Sequence, residues 1–216
     1  FGREHHEVAQ ALSYLASTYV EQGQYSKARP LYIRAIAIKK KLLGGLHPEV
    51  ADSLTDFGVL CARTQNYDEA FDLYQQCLKI RQTTLGPKHL HTAQAMNNVA
   101  AMLMERGQHE EAEAMYRSAM EITETAFGPM HTNIPQSLLK LANLFQKQKR
   151  PMAEIQPLYE RALNILETAY GKSHPDVALA LNDFAVLSYR NGLIEQAETL
   201  YRQMVTSLEN VYSSIP

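Results

Sequence analysis

The chain has 216 residues, 45% hydrophobic and 20% charged, and its 21 Lys+Arg against 23 Asp+Glu leave a formal net charge of −2. That balance supplies enough apolar side chains for a packed core and lacks the strongly basic face that nucleic acid demands. The longest unbroken apolar run, Val99-Ala100-Ala101-Met102-Leu103-Met104, falls far short of the ~18 residues that span a bilayer. The chain opens on Phe1 with no signal-peptide pattern, so the expectation is a piece of a longer protein.

A period governs the whole chain. Gly2, Gly44, Gly86 and Gly128 recur every 42 residues and Gly171 follows 43 later. His5, His47, His89, His131 and His174 keep the same steps, as do Tyr32, Tyr74, Tyr116, Tyr159 and Tyr201. Three residue types sharing one phase define a repeat array, with units at approximately 5–46, 47–88, 89–130, 131–173 and 174–216, taken as one domain. The single extra residue lies between His131 and Tyr159, near Gln146-Lys147-Gln148-Lys149-Arg150-Pro151.

In the first unit, Val8, Leu12, Leu15, Ala16 and Tyr19 step by three and four, as one face of a helix does. Glu21-Gln22-Gly23-Gln24 interrupts, with Gly23 placed to end that helix. Ala28, Leu31, Tyr32, Ala35 and Ile38 mark a second helix, which closes on the run Lys39-Lys40-Lys41. Cations there oppose the helix dipole, so a solvated last turn is expected. Gly44-Gly45-Leu46-His47-Pro48 then pairs a terminating glycine with a proline suited to the next helix start. No useful β-alternation appears, and the predicted fold is all-α, two antiparallel helices per unit.

The second unit holds both cysteines, Cys61 and Cys77, at places where other units carry larger or small apolar residues. A buried small hydrophobe is the expected role of each, and nothing calls for a disulfide between them. The third unit alone carries a pair of asparagines, in Met96-Asn97-Asn98-Val99-Ala100. In the fourth, Pro151 and Pro157 flank Ile155, which replaces an alanine recurring as Ala28, Ala70, Ala112 and Ala197. Pro30 and Pro157 occupy equivalent places, near enough to a helix start to be tolerated or to kink it mildly. A second small place reads Ala16, Gly58, Ala100, Ala142 and Ala185, and Leu12, Leu54, Met96, Leu138 and Leu181 fill the space between. Small residues there let helices approach closely, and each pair needs its neighbours to complete a core.

The pattern Leu-x-x-Leu-Ala-x-x-Tyr, then Gly, then Ala-x-x-x-Tyr resembles the tetratricopeptide repeat. Each helix is about one turn longer than in the 34-residue form. Leu85-Gly86-Pro87-Lys88-His89, His174-Pro175-Asp176-Val177-Ala178 and Glu113-Ala114-Met115-Tyr116-Arg117-Ser118-Ala119 resemble the 42-residue variety of kinesin light chains and nephrocystin-type ciliary proteins. The resemblance implies an α-solenoid, a right-handed superhelix of five helix-turn-helix units, and a non-catalytic adaptor. It also implies a cytoplasmic setting, with cytoskeletal or ciliary association, and a concave groove lined by the first helices. Light chains usually read Leu-Asn-Asn-Leu-Ala in the first helix and grip cargo backbone with those amides. Here only Asn97 and Asn98 keep both, and Leu181-Asn182-Asp183-Phe184-Ala185 keeps one.

By that phase the groove-facing positions begin with Gln10, Ser13, Ser17 and Glu21, then Asp52, Thr55, Asp56, Val59 and Arg63. The candidate binding residues are Gln94, Asn97, Asn98, Gln136, Lys140, Asn143, Lys147, Asn182 and Arg190. Amides both donate to and accept from a peptide backbone, and the cations fall late in the chain. The expected partner is therefore a peptide or protein segment with an acidic end over Lys140, Lys147 and Arg190. Phe1-Gly2 and Tyr212-Ser213 look like uncapped repeat ends, so self-association is the first alternative. A regulatory arm of an enzyme lying outside the chain is the second.

The in-register histidines are expected at helix starts rather than on a metal. Stacked helix layers stand ~8–10 Å apart, against ~2 Å for zinc ligands. No phosphate loop, nucleophile triad or metal-spaced ligand set appears, and pairs such as Glu110-Glu111 read as solvated. No catalytic residue, cofactor or metal is predicted.

Overall fold

A computed structural model describes residues 5–213, with side chains as far as Glu209; Phe1-Gly2 and the side chain of Tyr212 lie outside the described residues. The helices come in pairs: α1 (His6–Glu21) and α2 (Tyr25–Leu43), α3 (Pro48–Arg63) and α4 (Tyr67–Leu85), α5 (Leu90–Glu105) and α6 (His109–Phe127), α7 (Ile134–Lys147) and α8 (Met152–Tyr170), α9 (Pro175–Arg190) and α10 (Ile194–Ser213). Each pair occupies one repeat. The chain divides into two compact units, Phe1–Ile122 and Thr123–Pro216, with α6 running across the division.

Five histidines start the five first helices by one device. The backbone N–H of Glu7, Glu49, His91, Asn133 and Asp176 donates to Nδ1 of the histidine two residues earlier, at 3.4, 3.3, 3.2, 3.2 and 3.2 Å. Four are N-caps with extended backbone; His131 does the same for Asn133 although α7 begins only at Ile134. The imidazole lone pair thus satisfies a donor that has no partner inside the helix. Phe127 and Tyr170, the last residues of α6 and α8, lay their rings on His131 and His174 at 4.7 and 4.4 Å. The histidines are helix-start residues, as the register predicted.

The other helix ends show a feature that residue type conceals. At the end of α1, Gly23 N–H donates to Val20 O and Gln24 N–H to Tyr19 O, with Gly23 at φ 71°. This is a Schellman closure, and glycine suits its left-handed residue. The same closure after α3 and α7 puts Gln65 (φ 60°) and Lys149 (φ 55°) in that position. A Cβ there is strained. Gln65→Gly is expected to stabilise the chain by about 0.5–1 kcal/mol, seen as a higher urea midpoint; an unchanged or lower midpoint contradicts the strain.

In unit 1, α1 packs on α2, α2 on α3, α3 on α4 and α4 on α5. In unit 2, α7 packs on α8, α8 on α9 and α9 on α10. Two of the repeated tyrosines tie successive pairs together. Tyr32 stacks on Phe57 at 5.9 Å, and Tyr159 lies parallel to Phe184 at 4.9 Å. Ala16, Ala100, Ala142 and Ala185 are fully buried, so the close approach inferred from the sequence is real. The extra residue of the fourth unit falls in the turn between α7 and α8, and buried Ile155 fills its alanine place. Pro30 and Pro157 both lie inside continuous helices.

One expectation is corrected. Lys40 and Lys41 are exposed, but Lys39 is only 4% exposed and donates to Ser53 Oγ at 2.9 Å. It shares the register of Thr123 and Leu166, both buried, because the second helix turns that position toward the next pair.

Candidate partner-binding faces

In unit 1 the first helices present a mixed face. Asp52, Asp56, Val59 and Arg63 of α3 are exposed, as are Tyr14 and Glu21 of α1; Gln94 and Asn98 of α5 are half-buried. Asn97 is only 7% exposed, so most of its surface lies in the packing rather than on the face. Ser13 is likewise buried and donates to Ala9 O. Thr55 donates to Ala51 O and sits 3.2 Å from Cys77 Sγ.

In unit 2 the polar stripe is cleaner. Gln136, Lys140, Asn143 and Lys147 step by four, three and four along α7 and all are exposed, while Leu138, Leu141, Leu144 and Phe145 of the same helix are buried. On α9, Leu179, Asp183, Tyr189 and Arg190 are exposed and Asn182 is half-buried, its amide 3.5 Å from Asp183 Oδ1. Unit 2 therefore gathers Gln136, Lys140, Asn143 and Lys147 on one helix face, while Gln94, Asn97 and Asn98 belong to unit 1.

Sequence reasoning passed over a polar cavity between α1 and α3. It has a volume of about 350 Å3 and is lined by His6, Ser13, Ser17, Lys39, Asp52 and Asp56, among others. His6 Nε2 lies 2.6 Å from Glu49 Oε2, and Lys39 Nζ stands 3.9 Å from the same carboxylate. Although Asp56 is exposed as a residue, partial desolvation of its carboxyl against the cavity wall, reinforced by the charge of Asp52, pushes it above its ordinary range, with Lys39 opposing. The signal that could have found Lys39 is its register with Leu166.

The cysteines are buried and unbridged. Burial pushes the Cys61 thiol up to about 12, helped by the negative charge of Glu69 and opposed by Arg29. It pushes Cys77 up as well. Both remain protonated thiols at neutral pH, poor nucleophiles. Beside Cys61, Arg29 grips Glu69 through two hydrogen bonds of 2.8 and 2.7 Å and holds that carboxyl below its usual range. Among the described residues no group of three or more His, Cys, Asp or Glu could hold a metal ion, and no helix is long and apolar enough to cross a membrane.

Antiparallel helix pairs in register, with Tyr32 and Tyr159 of two second helices stacked on the following pair, define a helical repeat protein of the solenoid class. The tetratricopeptide repeat model matches residues 7–83, 57–125, 91–152 and 133–210, and the chain belongs to that family. Repeats of this family mediate protein–protein interaction. No curated protein matches the sequence. Among solved structures, the nearly identical TPR-like repeats attributed to a kinesin light chain of Podosopora anserina superpose with a TM-score of 0.78 at 21% identity, covering 99% of this chain and 100% of that one. BtubC (BKLC) from P. vanneervenii gives 0.79 at 20% identity over 98% of this chain and 84% of its own. Aspartyl phosphate phosphatase F from Bacillus subtilis gives 0.82 at 14% identity over 97% of this chain and 53% of its own. At such identities the likeness is one of fold.

Proposed function

We propose that the chain is a non-catalytic adaptor whose first-helix faces bind a peptide or protein segment, in the manner of a kinesin light chain-type cargo adaptor working in the cytoplasm. The observation that carries this reading is the α7 stripe. Four long polar side chains, Gln136, Lys140, Asn143 and Lys147, stand exposed on one side of a helix whose other side is core. Core packing gives no reason for that composition, whereas amides and cations suit the carbonyls and carboxylates of an extended partner. In unit 2 an acidic segment lies over Lys140, Lys147 and Arg190; in unit 1, taken by itself, the pair Asn97 and Asn98 is the candidate for a partner's backbone, with Asn98 the more exposed of the two.

The test is affinity capture with the chain beside two variants, Asn97→Ala/Asn98→Ala and Lys140→Glu/Lys147→Glu/Arg190→Glu. Partners held by the wild type are expected to be lost from the first and those with acidic segments from the second. Retention of all partners by both moves binding off these faces.

A second reading, self-association, rests on a separate observation. Phe57, Leu141 and Phe184 are buried where α1 leaves Leu15 44% exposed; Ile36, Leu78 and Leu163 are buried where α10 leaves Val205 48% exposed. Leu15 and Val205 are thus the apolar positions of their registers at which a second copy could pack. Light scattering decides: a mass that rises with concentration supports stacking through them, and a constant monomer mass removes it.

A further inference from the structure

The cavity between α1 and α3 has a built interior. At its depth the Lys39 ammonium carries three N–H donors, yet among the described residues only Ser53 Oγ lies within hydrogen-bond distance, Glu49 Oε2 standing off at 3.9 Å. A buried ammonium gains from each further acceptor that it meets, and the cavity is the side from which one can reach Lys39. Nearer the mouth, Asp52 and Asp56 lie one turn apart on α3. Arg81 reaches Asp52 at 3.3 Å, whereas Asp56 meets no hydrogen-bond donor among the described residues. Glu49, Asp52 and Asp56 thus line the cavity against one ammonium, with the His6 ring held on Glu49.

The groups that face the cavity are of two kinds, a cation below and carboxylates above. A bare metal ion has nothing to offer the Lys39 N–H and is repelled by its charge. An acidic segment meets three carboxylates. A basic segment offers both partners at once. We infer that this cavity takes the backbone of a partner segment, one carbonyl accepting from Lys39 below, while the side chain of an arginine in that segment turns back to lay its guanidinium on Asp56 and Asp52 at the mouth. Arginine fits better than lysine because its planar fork spans two carboxylates. The inference rests on the reading that the first-helix faces bind partners, and it gives unit 1 the opposite charge preference to the α7 stripe.

The test is titration of N-acetyl-arginine N-methylamide into the 15N-labelled 216-residue chain, followed by amide chemical shifts. Saturable shifts at Ser13, Ser53 and Asp56 are expected, with none from the norleucine analogue, which has the same carbonyls and no charge. Asp56→Asn is expected to weaken binding by about tenfold, the loss of one charge-assisted hydrogen bond. Asp56→Ser, read the same way, guards against a packing effect of the amide, and Lys39→Met is expected to weaken binding with Asp56 intact. Equal shifts from norleucine, shifts scattered over other carboxylates, or undiminished binding to both Asp56 variants overturn the proposal. Because the probe reads the cavity alone, its failure leaves the capture result at Asn97 and Asn98 standing. Conversely, a positive titration with partners retained by the Asn97/Asn98 variant keeps the cavity and drops the wider reading.

Discussion

Tyr159→Ala is expected to destabilise unit 2 by about 3–5 kcal/mol, the usual range for truncating a buried aromatic. The ring is 3% exposed and lies parallel to Phe184, and its hydroxyl accepts from Gln146 Nε2 at 3.0 Å. Truncation therefore removes one aromatic stack between α8 and α9, worth about 0.5–1.5 kcal/mol beyond its area, and leaves the Gln146 amide without its acceptor. Hydrogen exchange locates the effect: amides of Ile155–Leu187 should lose protection while those around Tyr32 and Phe57 keep theirs. Uniform loss across the chain would mean that the two units do not open separately. Tyr159→Phe should lose only the hydrogen bond, about 1 kcal/mol. Tyr116 supplies the control, since its buried hydroxyl meets no hydrogen-bond partner among the described residues; Tyr116→Phe is expected to be neutral or stabilising.

Gly58→Ala is the second large effect, and its sign runs against helix propensity. In an open helix the change would stabilise by ~1 kcal/mol. Here a Cβ at Gly58 would sit 2.5 Å from Cε1 of Tyr74 and 2.9 Å from two further ring carbons. Tyr74 is buried, so its ring cannot swing aside into solvent. The expected outcome is a loss of about 1–3 kcal/mol from overpacking, measured by denaturant unfolding. Tyr74→Phe should not rescue it, because the clash is with ring carbons. Tyr74→Leu should rescue part of it, giving a favourable coupling in a double-mutant cycle. A stabilised Gly58→Ala would show that α3 and α4 separate more easily than the packed geometry implies.

Much of this was legible because the repeat writes each structural job several times. A single histidine before a helix is ambiguous. Five at one phase, each followed by a helical stripe, identify a helix start, and the Nδ1 contacts supply the mechanism. The alanines of the close approach were readable for the same reason, down to Gly58 as the one position in that series without a Cβ. What escaped was carried by residues whose type contradicts their place. Gln65 and Lys149 take a left-handed conformation that Gly23, Gly107 and Gly192 occupy elsewhere, and only alignment by period points to them. Lys39 reads as a solvated terminal cation until its register with Leu166 places it inside. Asn97 stood out as an amide on a binding face, yet burial of its neighbours also encloses most of it. For the faces, the sequence could nominate the α7 stripe because period and polarity agree there; a cavity closed by residues from three different helices left no such mark.

The histidine start has a consequence for how such a chain can change length. Each start is completed by the N–H two residues later, and ahead of the last four, Gly44, Gly86, Gly128 and Gly171 close the preceding helix through a bond four residues back, as Gly44 does to Lys40 and Gly86 to Gln82. The punctuation is therefore self-contained within one short stretch, residues 40–49 at the first junction and 82–91 at the second, and no distant partner is needed to form it. A gene segment cut at one connector and joined at another restores a complete glycine–histidine junction whatever number of periods lies between. Growth or shrinkage by whole modules leaves every junction intact, whereas an insertion of any other size must be absorbed in a turn, as the four-residue link between α7 and α8 has done.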